Sequence, residues 1–241
     1  MLTIDYDLLA VKEEEDILDV GCGEGRHSHE AYRRHCRVYA VDVDEAALSS
    51  TSGLFRVLEE HEPSHGLWAA LRASANRLPF GDASFDKIVC SEVLEHLPDD
   101  EQAAVELFRV LKDRGRLAVS VPTFLSETVY WGLSSKYRSQ PGGHVRKYRK
   151  GEVISLLKRN GFEVYAIRRK HALHFFYWML RCLFGINREK AFFPSLYYRF
   201  LVWDITKKKR PIRLLEKMLN PFLAKSMVIY ARKGRMEHNG G

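Results

Sequence analysis

The stretch Ile17-Leu-Asp-Val-Gly-Cys-Gly-Glu-Gly-Arg26 runs a short apolar segment into a glycine-rich turn and then into helix-forming sequence. A turn of this kind lets the backbone approach a ligand closely, because no side chain stands in the way. A dinucleotide-binding turn requires G-x-G-x-x-G. Here the third glycine comes early, at Gly25, and the bulky Arg26 occupies the following position. The spacing therefore argues against a nicotinamide or flavin enzyme.

Working outward, β-branched runs alternate with longer amphipathic stretches, the pattern of a parallel sheet wrapped by helices. Strands are predicted at 16–20, 37–41, 68–72, 87–90, 116–121, 162–167 and 226–231, and helices at about 25–35, 45–60, 100–111 and 150–159. Residues 168–225 break this rhythm with aromatic and basic segments. They are read as a helical insertion, while 234–241 are read as a disordered tail.

The 241 residues suffice for one large α/β core with an insertion, and would be a squeeze for two independent domains. Cys22, Cys36, Cys90 and Cys182 are far apart and form no C-x-x-C pair, so neither a disulfide framework nor a thiolate zinc site is expected. Acidic residues interrupt the first segment, which does not read as a signal peptide, and a cytoplasmic protein is expected. Charge is unevenly spread. Residues 1–167 hold 21 Lys/Arg against 27 Asp/Glu, whereas residues 168–241 hold 17 against 4. Such a basic block faces an anionic partner, a membrane surface or nucleic acid, or else is simply solvated.

Further elements follow the glycine turn in order. Val38-Tyr-Ala-Val-Asp42 ends a strand in a carboxylate placed to accept hydrogen bonds from two ribose hydroxyls. Then come Leu78-Pro-Phe80, Ser84-Phe-Asp86, Ser91-Glu-Val-Leu-Glu-His-Leu97 and Phe108-Arg-Val-Leu-Lys112. With D-x-G-x-G-x-G at 19–25, this series resembles the class I S-adenosylmethionine-dependent methyltransferases, in the broad type 11 group that includes ubiquinone-pathway enzymes. The resemblance spans roughly residues 16–167. It implies a Rossmann-like, doubly wound, mostly parallel seven-stranded sheet with an antiparallel last strand, and S-adenosylmethionine as cofactor. Asp19, Gly21, Gly23 and Gly25 would hold the amino-acid end, Asp42 the ribose, and Val43 would pack on the adenine. Relatives often carry Gly-Asp-Ala before Leu-Pro-Phe, but this chain has Ala73-Ser74-Ala75. Ser74 would be a weaker acceptor for the adenine amino group, and Ala75 would offer its backbone N–H. Cys90 and Ser91, at the carboxyl end of the fourth strand, are expected near the sulfonium.

Methyl transfer displaces a neutral leaving group, so positioning and desolvation do most of the work, and a general base matters only for a hydroxyl or protonated nitrogen. Histidine suits that role near neutral pH. His144, in Gly143-His-Val-Arg-Lys-Tyr148, and His96, in Glu95-His96-Leu97, are the candidates; relatives often carry a similar His-x-Arg-x-Phe/Tyr element near the substrate pocket. His27 is read as a partly exposed helix residue. The zincin-like letters His61-Glu-Pro-Ser-His65 are dismissed because Pro63 breaks the helix that would present both imidazoles, and no metal is predicted.

The apolar runs of the insertion are too short and too interrupted by Arg181, Arg199 and Asp204 to span a bilayer. Aromatic residues flanked by Lys/Arg, including Lys207-Lys-Lys-Arg210, instead suit helices lying on an anionic membrane face. A small, hydrophobic or lipid-like acceptor is the favoured substrate, with contact at the inner membrane face. Two alternatives stand: an RNA methyltransferase, opposed by the absence of an RNA-binding module and of an Asn-Pro-Pro-Tyr-type motif, and a non-catalytic cofactor-binding regulator.

Overall fold

A computed structural model describes residues 2–61, 66–139, 142–185, 191–207 and 209–234. The 62–65 part of the zincin-like letters, Lys208 and the tail from 235 onward lie outside the described residues. The first helix, α1 (Tyr6–Leu9), is followed by alternating β1 (Asp16–Val20), α2 (Arg26–Arg33), β2 (Arg37–Asp42), α3 (Glu45–His61), β3 (Trp68–Arg72) and β4 (Phe85–Ser91). A 3-10 turn (Leu94–His96) leads to α4 (Asp100–Val110), β5 (Leu111–Pro122), α5 (Phe124–Leu133), α6 (Ser135–Arg138), α7 (Lys150–Arg159) and β6 (Phe162–Lys170). Three helices, α8 (Ala172–Phe184), α9 (Phe192–Lys207) and α10 (Arg210–Leu223), precede β7 (Ser226–Lys233).

The seven strands form one sheet in the order β3-β2-β1-β4-β5-β7-β6. All pairs from β3 to β5 are parallel, and β7 runs antiparallel to both β5 and β6. Strand β1 is covered on both faces, as a parallel sheet requires. Leu18 and Val20 join Leu94, Leu107 and Leu157 on one side, while Ile17 packs with Tyr32, Val38 and Phe55 on the other. The strand order reverses at β1/β4, so the crevice above their carboxyl ends is where an open α/β sheet binds ligands.

Several boundaries differ from the sequence reading. Leu111 is extended (φ −78°, ψ 132°), so α4 stops at Val110 and β5 begins at once instead of at 116. Strand β6 continues through Arg168 to Lys170 before the insertion starts. Helix α5 carries no breaker signal of its own but is started by Thr123, whose hydroxyl accepts a hydrogen bond from Ser126 N at 3.3 Å. Helix α8 packs on α5, α9 and α10, so the insertion sits against the element that follows β5. Among the described residues no helix is long and apolar enough to cross a membrane.

Candidate functional site

The glycine turn is held by backbone. Gly21 N and Cys22 N both donate to Val41 O, at 2.8 and 3.0 Å, and Gly25 N closes the turn onto Cys22 O at 2.9 Å. All three glycines have positive φ. A Cβ on Gly21 would come within 2.3 Å of the Val93 side chain, and one on Gly25 within 2.6 Å of His29. At Gly23 it would meet nothing within 4 Å. The three positions thus serve different ends: Gly21 and Gly25 let the protein close on itself, and Gly23 leaves its face open above the turn.

Asp42, at the end of β2, braces this turn. Its Oδ2 accepts from Gly23 N at 2.9 Å and its Oδ1 from Asp44 N at 3.0 Å, leaving further lone pairs for a ligand's hydroxyls. Val43 beside it is 60% exposed, an apolar surface beside the crevice. Ala73 N donates to Asp42 O, joining the adenine-side segment to the same strand end. Ser74 Oγ accepts from Asn76 N at 3.3 Å and Ala75 is buried, so the serine hydroxyl is already engaged in its own turn. Asp19 is buried and accepts from Ser28 Oγ at 2.6 Å. Burial pushes its carboxyl up to about 6, partly opposed by that hydrogen bond. Cys90 is fully buried in the core and burial raises its thiol, so a ligand near β4 meets its backbone and not its sulfur. Ser91 pairs with Ser120 Oγ at 2.8 Å and receives Arg26 Nη2 at 3.3 Å. His27 departs from the expectation of partial exposure: it is buried with both ring nitrogens unpartnered, and desolvation lowers its pKa to about 3. As a neutral ring under Tyr6 it is a packing residue.

A second cluster forms where the 3-10 turn, α5 and the 143–148 segment meet. Glu127 on α5 is buried and collects three donors: Trp131 Nε1 at 2.9 Å, Tyr137 OH at 3.0 Å and His144 at 2.7 Å through Nδ1. This leaves Nε2 as the ring nitrogen of His144 that Glu127 does not engage. His96 is tied in the same manner, its Nδ1 to Gly142 O at 2.9 Å, and the two rings meet edge to face with centroids 4.8 Å apart. Val145 N donates to Glu95 O at 2.8 Å, fixing the segment to the 3-10 turn. Glu95 itself is 1% exposed, yet neither carboxylate oxygen has a partner; burial and then Glu92 raise its pKa well above the usual range. Glu92, at φ +60°, is held ionised against burial by Lys225 at 2.7 Å. Sequence reasoning selected His144 and His96 and missed Glu127, whose only signal is its distance through space.

The insertion supplies the outer wall of this second cluster. Tyr130 OH donates to Phe175 O at 3.1 Å, and Tyr137 packs on Trp178, so α8 rests on the helices that carry and approach Glu127. Further out, Phe192, Phe193, Leu214, Met218 and Phe222 are exposed, Phe222 to 74%.

Residues 18–119 match the family model described as a methyltransferase domain. A Mycolicibacterium smegmatis protein named as a probable S-adenosylmethionine-dependent methyltransferase is 33% identical over 151 residues, covering 62% of this chain and 52% of that protein. The ubiquinone biosynthesis O-methyltransferase of Pseudomonas fluorescens is 32% identical over 109 residues, 43% of each. The chain thus spans about half the length of these curated relatives. An S-adenosylmethionine-dependent methyltransferase from Methanosarcina mazei superposes with a TM-score of 0.63 over 97% of this chain and 98% of that one, at 19% identity, a likeness of fold.

Proposed function

We propose, for a chain whose core belongs to the class I S-adenosylmethionine-dependent methyltransferases, transfer of the sulfonium methyl to a hydroxyl of a small hydrophobic, lipid-like acceptor. The observation that carries this reading is the imidazole of His144, held through Nδ1 by buried Glu127 with Nε2 left for an acceptor, on a wall shared with an aromatic insertion. A hydroxyl is a poor nucleophile until its proton is withdrawn or its oxygen polarised as the methyl arrives. The His144 cluster is built for that task, while the leaving thioether needs no acid.

In this reading Gly23, Asp42 and Val43 take the cofactor's ribose and adenine, and Ser91 and the Cys90 backbone face the sulfonium. The cofactor supplies the electrophilic methyl group. The residues of the chain orient the acceptor and exclude water, which is where most of the acceleration arises. The exposed aromatic and basic faces of α9 and α10 support approach from an anionic membrane surface, where such acceptors dissolve. The test is a methyl-transfer screen with labelled cofactor against lipid extract, small phenols and RNA. Label in the organic phase from lipid extract or phenols is the expected result, and label confined to RNA would overturn it.

A further inference from the structure

We infer that Glu95, His96 and His144 form a binding site for one divalent transition-metal ion. The inference rests on the hydroxyl-methylation reading for its purpose, but not for its existence. One donor atom from each of the three residues lies within 4.8 Å of the others. Tetrahedral nitrogen and oxygen donors about 2.1 Å from an ion stand about 3.4 Å apart, so closure requires side-chain shifts of about an ångström.

Three features distinguish this group from a chance cluster. Both histidines have Nδ1 engaged, His144 on Glu127 and His96 on the Gly142 carbonyl, which leaves Nε2 of each ring as the nitrogen available to an ion. Metal-binding histidines are oriented in this manner, by a carboxylate or carbonyl on the far nitrogen. Glu95 is buried with two unpartnered oxygens, and a carboxylate withdrawn from water without a partner is costly unless something compensates it. A cation bound there would satisfy it. Finally, two further carboxylates, Glu92 and Glu127, act on Glu95, and Glu92 is paired with a nearby cation, Lys225, at 2.7 Å. The other His/carboxylate group, His171, His174 and Glu216, has one such carboxylate, Asp204, but three cations, Lys170, Arg213 and Lys217, line the same cavity of about 490 Å³ as His171 and Glu216 and oppose a dication.

Two imidazoles and one carboxylate with room for an exogenous oxygen suit zinc, cobalt, iron or manganese over calcium or magnesium. Bound to such an ion, the acceptor hydroxyl releases its proton to solvent, and its oxygen forms the new O–CH3 bond as the S–CH3 bond breaks. The cofactor leaves as the neutral thioether.

The test uses full-length protein stripped with chelator and titrated with Zn²⁺ or Co²⁺ alone. One equivalent should bind, Co²⁺ should give visible absorption bands, and Glu95→Gln, His96→Ala and His144→Ala should each weaken binding roughly tenfold or more. Unchanged S-adenosylmethionine binding certifies that each variant is folded. Because Glu95→Gln is isosteric, it remains informative if a histidine variant misfolds. No uptake of either ion, or uptake unaltered by all three substitutions, overturns the site. Metal uptake without methylation of any hydroxyl compound would confirm the site and refute the acceptor reading; methylation of a hydroxyl compound by protein that takes up neither ion would overturn the site and leave the acceptor reading standing.

Discussion

The two sides of the crevice are built by different means. On the β1/β2 side the geometry is set by backbone: three glycines at positive φ, amides donating to Val41, and one aspartate bracing the turn. On the β4/β5 side it is set by side chains drawn from the 3-10 turn, α5 and the 143–148 segment, knitted through Glu127 and Gly142. A backbone cradle fits one ligand common to a whole family, because main-chain atoms do not vary. A side-chain wall can be rebuilt residue by residue. Under the proposed function, specificity for the acceptor resides in the side-chain wall, and mutations on the two sides should separate accordingly.

The sharpest separation should come from His144→Ala, which removes the ring Glu127 positions. Turnover should fall by about 10²- to 10⁴-fold, the usual worth of a group acting on the transferred proton or oxygen. Cofactor affinity measured by calorimetry should stay within a factor of two or so; a large loss there would mean that the two sides are not independent. Asp42→Ala tests the opposite wall. With roughly 1.5–3 kcal/mol for each hydrogen bond to a charged acceptor, S-adenosylmethionine binding should weaken by about a hundredfold or more, and unchanged affinity would refute the ribose assignment.

Asp19 offers a comparison through pH. Its folded pKa, about 6, lies above the ordinary 3.8, so the native state holds the proton more tightly than the unfolded chain. That stabilisation is complete below the unfolded value and is lost as pH rises through about 6, on the order of 3 kcal/mol in all. Asp19→Asn should flatten this part of the stability profile of the cofactor-free protein in denaturant titrations. A profile identical to wild type would remove Asp19 as its source. The smallest effect on chemistry is expected from replacing Lys207, Lys208, Lys209 and Arg210 with glutamine. Membrane partitioning on anionic liposomes, measured by co-sedimentation, should drop by at least about tenfold at low salt, and four charges worth about 1 kcal/mol each before screening set the ceiling at about a thousandfold. Cofactor affinity should not move.

These two sides also differ in how far they could be read from sequence. The turn, Asp42 and the strand ends were legible because their demands are local: a glycine where φ is positive, a carboxylate where a strand ends. Even so, the differing duties of Gly21, Gly23 and Gly25 emerged only from what surrounds them. On the other wall, His144 and His96 could be picked out by residue type, but nothing near residue 127 signals that its carboxylate would reach a histidine 17 positions later. The orphaned oxygens of Glu95 are equally silent, since burial is a property of the assembled layers. Helix α5 was missed for a related reason: a threonine cap and packing against α8 stabilise it, not an amphipathic repeat.

Strand β7 lies inside the sheet, with β5 on one flank and β6 on the other, although it is the last strand of the described residues. Strand β6 pairs with no other named strand, and Tyr230 on β7 also accepts Asp5 N at 2.8 Å, pinning the amino-terminal segment. During synthesis the ribosome therefore releases β6 with no neighbour to pair with, and the sheet waits for residues 226–233 before it can close. Until then the edges of β5 and β6 stand open to chaperones or to other nascent chains. The timing of assembly is thus governed by the translation and docking of one short segment, and the length of the insertion before it sets how long that exposure lasts.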